Sequence, residues 1–147
     1  MSSEAGRNNI LWIKAFLNGI FAWILGLIIY MIPGLVVAFK MGFELGPKSE
    51  DPSAVSEQIG QTVSALYQNS LWLTIGFIVV TALLVFWRAK TVAKSTGDKS
   101  ICNGLLVAAF PVLFGVLFIF STGFDFTSII GILVFIGAGY AGGYLSK

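Results

Sequence analysis

Histidine is absent from this 147-residue chain and cysteine occurs once, at Cys102. Those two shortages exclude a disulfide scaffold, a zinc finger and any Cys/His arrangement for holding a metal or activating a nucleophile. Charge is scarce as well. Nine Lys and Arg stand against seven Asp and Glu, only 11% of the residues, and a net charge of +2 is too small to argue for a nucleic-acid partner. The chain has no glycine-rich phosphate loop, no HExxH and no pair of carboxylates within reach of a shared site. Nor does any long apolar run hold Asp, Glu, Arg or His near its middle. A proton relay, a voltage sensor, a haem ligand pair or an intramembrane protease therefore lacks the residues to run it. The expectation is a protein that is not an enzyme and carries no cofactor.

What is present is apolar. Hydrophobic residues make up 56% of the chain, 13 of them phenylalanine, and the mean hydropathy is +0.88. A soluble fold of this size can hardly enclose four near-continuous apolar runs, so lipid is the simpler solvent. The runs are Ile10 to Phe39, Leu71 to Trp87, Ile101 to Phe120 and Phe126 to Tyr144. Met1 to Asn9, with Arg7 and Lys14 as basic flanks, resembles the start of a secretion signal. The run that follows is about twice a signal's apolar length, which predicts a retained first helix.

The prediction is an all-α integral membrane protein, a single domain over residues 1–147 with spans at about 12–37, 69–89, 101–121 and 126–145. The four transmembrane helices are expected in an antiparallel bundle. The first run, interrupted only by Lys14, Asn18 and Pro33-Gly34, is too long for a hydrocarbon layer of about 30 Å and must tilt, bend or project. Trp72 and Trp87 flank the second run at plausible headgroup levels. Upstream, Asp51-Pro52 reads as a helix start, with Asp as cap and Pro in the first turn. Val55, Ile59, Val63, Leu66 and Tyr67 then recur at helical spacing. This segment either lies on the membrane surface or extends the second span outward, and the extension is favoured because no Gly or Pro interrupts the chain between Gln61 and Leu71. A bend without a break is expected at Pro111, and a tight turn at Thr122 to Asp125 between the last two spans.

Charge gives the orientation. With the N-terminus cytoplasmic, the inner side holds Arg7, Lys14, Arg88, Lys90, Lys94, Lys99 and Lys147 against Glu4 and Asp98. The outer side holds Lys40 and Lys48 against Glu44, Glu50, Asp51, Glu57 and Asp125. This positive-inside bias predicts a multi-pass protein of the cell inner or plasma membrane with both termini cytoplasmic.

Several residues are candidates for interaction. Gly139 with Gly143, and Gly137 with Ala141, are small-x-x-x-small pairs suited to close helix packing, within one subunit or between subunits. Asn18 is placed to seek an interhelical hydrogen bond with Thr81 or Ser121. Arg88, Lys90, Lys94 and Lys99 read as topology determinants, with contact to anionic lipid as the lesser alternative. Asp125 reads as an ordinary polar turn residue, and Lys40 as a snorkelling one. Phe16, Trp23 and Tyr30 are expected to fill the bundle or face lipid. The partners implied are membrane lipids, together with other membrane protein subunits or further copies of this chain. The function class that fits is a non-catalytic accessory or assembly subunit of a larger membrane complex. The competitor is a small oligomeric transporter or channel for a neutral or lipid-like solute.

Overall fold

The computed structural model describes residues 11–48, 51–94, 96, 99–122 and 126–146. Arg7, Glu4, Glu50, Asp98, Asp125 and Lys147, used above in the charge count, lie outside them. The described chain is all-helical. In order come α1 (Trp12–Leu45), a 3-10 turn (Gly46–Lys48), α2 (Pro52–Asn69), α3 (Leu71–Ala93), α4 (Ser100–Thr122) and α5 (Phe126–Tyr144). Four of them, α1, α3, α4 and α5, are long and apolar enough to cross a membrane. This is the signature of a multi-pass membrane protein.

The helix ends follow local chemistry. α1 runs 34 residues without interruption through Pro33, about 51 Å at 1.5 Å per residue and far beyond a hydrocarbon core. It continues past Lys40 and through Gly42, a lone glycine that a helix tolerates, and ends before Gly46-Pro47. α2 begins as its sequence dictates: Asp51 is the cap, Pro52 opens the first turn, and the Asp51 carboxylate accepts from the Ser53 amide at 2.9 Å and the Ser53 hydroxyl at 2.6 Å. α4 passes through Pro111 unbroken.

One expectation needs correction. The helix beginning at Pro52 is not an extension of the second span, because Ser70 adopts an extended conformation, with φ −103° and ψ 90°, and closes α2. Ser70 then starts α3: the Leu73 amide donates to the Ser70 carbonyl at 3.1 Å and reaches its hydroxyl at 3.4 Å. Asn69 and Ser70 have short polar side chains that compete with helical backbone bonds, so a break needs neither Gly nor Pro. The described chain has five helices, not four.

The chain gathers into two compact units. One comprises Met1–Gly26 with Ile78–Lys147, and the other Leu27–Phe77. In the first, the interior is made of small side chains: Ala15, Ala22, Val85, Ala89, Val92, Val107 and Ala108 are all buried. Phe135 is buried, but most of the large side chains face outward. Leu83, Leu117, Phe120 and Leu133 are exposed, the reverse of a water-soluble protein and the arrangement expected where lipid solvates the flanks.

Glycines set the helix contacts of this unit. A Cβ on Gly139 would stand 2.7 Å from the Ala108 side chain and 2.8 Å from the Gly104 carbonyl oxygen, and one on Gly143 would stand 2.7 Å from the Ser100 carbonyl. At the far end of the same pair of helices, Gly115 lies against Ile132. Gly142 gives α3 the same access, with the Phe86 carbonyl 2.6 Å from where its Cβ would be. On α1, Gly19 meets the Val107 carbonyl and Gly26 meets the Thr81 hydroxyl. Trp23 packs on Phe110 and Phe114, and Phe16 on Phe110.

Candidate functional site

In the second unit, the structure builds a polar joint from a tyrosine and a proline. Pro33 has no amide hydrogen and its ring crowds the preceding turn, so the hydrogen-bond ladder of α1 is weakest here. The Tyr67 hydroxyl of α2 enters at that point. It accepts from the Gly34 amide at 3.0 Å and lies 2.9 Å from the Tyr30 carbonyl and 3.2 Å from the Met31 carbonyl, to which its hydrogen donates. Gly34 and Tyr30 are an i, i+4 pair of the α1 backbone, so one side chain hydroxyl contacts both ends of a single helical turn beside Pro33.

Gly34 makes this approach possible. A Cβ there would stand 2.6 Å from the Tyr67 oxygen and 2.7 Å from its ring. Around the bridge, the Tyr30 ring lies 4.8 Å from Tyr67 and 5.1 Å from Phe77. α1, α2 and the start of α3 are thereby tied together by three side chains, Tyr30, Tyr67 and Phe77. Beyond the joint, α2 has no buried residue; Ser53, Ser56, Glu57, Gln58, Gln61, Thr62 and Ser64 are exposed along it. Asp51, at its start, is fully exposed, and the Ser53 hydrogen bonds hold its carboxyl below the ordinary carboxylate value.

The first unit holds a different polar feature. The Arg88 guanidinium lies 4.2 Å from the centre of the Phe21 ring and 4.8 Å from that of Trp87, close enough for cation–π attraction to both. Its Nε is buried with no hydrogen-bond partner.

The residues singled out in the sequence fall in several places. Gly139 and Gly143 face α4 as described, whereas Gly137 is exposed with nothing within 4 Å of a Cβ, and Ala141 is half-buried. Gly142, which the spacing did not single out, makes the close contact with α3. The polar contacts sought between helices are not the ones formed. The Asn18 amide donates to the Lys14 carbonyl at 2.8 Å and the Ser121 hydroxyl to the Phe118 carbonyl at 2.9 Å, each within its own helix. Thr81 is buried against Gly26, its hydroxyl unpartnered. For Asn18 and Ser121 the acceptor is one turn back along the same helix, which needs no partner helix at the right height. Lys90, Lys94 and Lys99 are exposed.

An interhelical hydrogen bond does form, at a residue the sequence did not mark. Asn103 is fully buried; its side-chain oxygen accepts from the Leu11 amide at 2.7 Å and its amide donates to the Lys99 carbonyl at 3.2 Å. It thus satisfies an otherwise free donor at the start of α1 from another helix. The available signal was an amide side chain within a strongly apolar run. Compared with models of known protein families, with curated proteins and with solved structures, the chain matches none.

Proposed function

We propose that this chain is a non-catalytic accessory or assembly subunit of a larger membrane protein complex, meeting its partner through α2. The observation that carries the reading is the contrast within one helix. α2 is anchored at Tyr67 by hydrogen bonds to the backbone of α1, yet none of its residues is buried. An exposed helix that is held firmly at one end is suited to present a polar, mildly acidic face to another protein.

In this reading α1, α3, α4 and α5 form an antiparallel bundle with both termini on the cytoplasmic side. Contacts of α1 with α3 and α4, and of α5 with α3 and α4, support the bundle. The excess of Lys and Arg at one end supports the orientation, in the inner or plasma membrane.

The test is purification in mild detergent with identification of what accompanies the chain. An unlike membrane protein in fixed proportion is expected, and a Gln58→Arg/Gln61→Arg double substitution should release it without changing the thermal midpoint. A homomer that conducts a solute across liposomes would instead favour a pore, and would overturn the subunit reading.

A further inference from the structure

We propose that the surface where α1 meets α3 at Arg88 and Phe21 binds the phosphate of an anionic phospholipid. The described part of its unit carries Lys14, Arg88, Lys90, Lys94 and Lys99 and no carboxylate at all. Arg88 is the half-buried member of this group. Its guanidinium lies beside two aromatic rings, which attract it without neutralising it, and its Nε is buried and unbonded. A cation so placed has lost water on one side and gained no hydrogen bond in exchange, which is costly unless an anion completes the site.

The neighbouring residues give the anion its identity. Phe21 touches Arg88 and Gly26 touches Thr81, so residue numbers rise along α1 as they fall along α3. Seven residues before Phe21 on the same helical stripe stands Lys14; six after Arg88 stands Lys94. At 1.5 Å per residue Lys14 lies about 10 Å nearer the start of α1, and Lys94 follows directly on the end of α3 at Ala93. Lys14 and Asn18 also line a shallow surface depression with Leu11, Trp12, Ile13 and Leu17. Basic groups at the mouth, one arginine deeper in, and exposed Phe21 and Trp87 rings beside it suit a headgroup phosphate above acyl chains. A free anion would gain nothing from the apolar walls. Lys90 belongs elsewhere, since its backbone lies against Gly142 of α5.

The full chain in neutral detergent is titrated with dioctanoyl phosphatidylglycerol, with dioctanoyl phosphatidylcholine and with inorganic phosphate. Thermal unfolding and native mass spectrometry are the readouts. Phosphatidylglycerol alone should raise the midpoint and remain bound, with about tenfold weaker retention in Arg88→Gln, partial retention in Arg88→Lys and no change in Lys90→Gln. Lys14→Gln, at the mouth, should weaken retention while leaving the lipid-free midpoint where it was, which keeps the test sound if Arg88→Gln does not fold. Equal weakening by Lys90→Gln would mean diffuse charge, and an equal shift with inorganic phosphate would mean a soluble-anion site. Either result, or unchanged retention in both Lys14→Gln and the Arg88 variants, overturns the proposal.

Discussion

The Tyr67 hydroxyl does more than its half-exposed position suggests, because it serves both a donor and an acceptor of the α1 backbone. Tyr67→Phe removes the bridge while keeping the ring, leaving the Gly34 amide and Tyr30 carbonyl to be satisfied otherwise. The expected loss is about 1–3 kcal/mol, read as a lower thermal midpoint in detergent together with faster hydrogen exchange at Gly34. Gly34→Ala should act in the same direction, since its methyl group occupies the space of the Tyr67 ring. Asn103→Leu should free the Leu11 amide and cost about 0.5–2 kcal/mol, the range for a lost helix cap. Asp51 supplies a pH dependence. Its folded-state carboxyl titrates below the unfolded value, so the cap's contribution is complete above the usual carboxylate range of about 4 and is lost as pH falls through the folded value. Circular dichroism should therefore show helix loss on acidification that Asp51→Ala lacks. Tyr67 and Asn103 were not legible in the sequence, because each acts on a backbone group more than thirty residues away. Asp51 was legible, because its partner is two residues on.

Among the helices, the four apolar runs announced themselves by length and composition, and their observed bounds differ from the expected ones by a few residues at most ends. The exceptions have local causes. α1 overran its expected end by eight residues, because its limit is a breaker at Gly46-Pro47 rather than the loss of hydrophobicity at Lys40. α2 separated from α3 because Ser70 can cap a helix, a competition between two acceptable local structures that the absence of Gly and Pro did not decide. Small-residue spacing identified α5 as a packing helix without showing which glycines face inward. That depends on the rotation of α5 about its axis, which the neighbours fix. A direct comparison follows: Gly139→Val and Gly142→Val place a side chain against backbone and should unfold the protein at lower temperature by many degrees. Gly137→Val, with nothing within 4 Å, should leave the monomer's midpoint nearly unchanged.

At the scale of the whole molecule, the first unit has alanine, valine and glycine inside and leucine and phenylalanine outside, an inversion that only a lipid solvent makes favourable. That inversion was implicit in the composition, as were the basic residues of the proposed lipid site, whereas the placing of Phe21 beside Arg88 was not, since it brings together positions distant in the chain. The central claim is that four helices cross the bilayer, with α2 on one face and the basic segment after α3 on the other. Single cysteines at Ser53 and at Ser95, introduced with Cys102 replaced by Ser, can be labelled in intact cells with a membrane-impermeant maleimide. The account predicts that the cysteine at position 53 reacts from outside and the one at position 95 only after the membrane is opened. Labelling of both from the same side would contradict it.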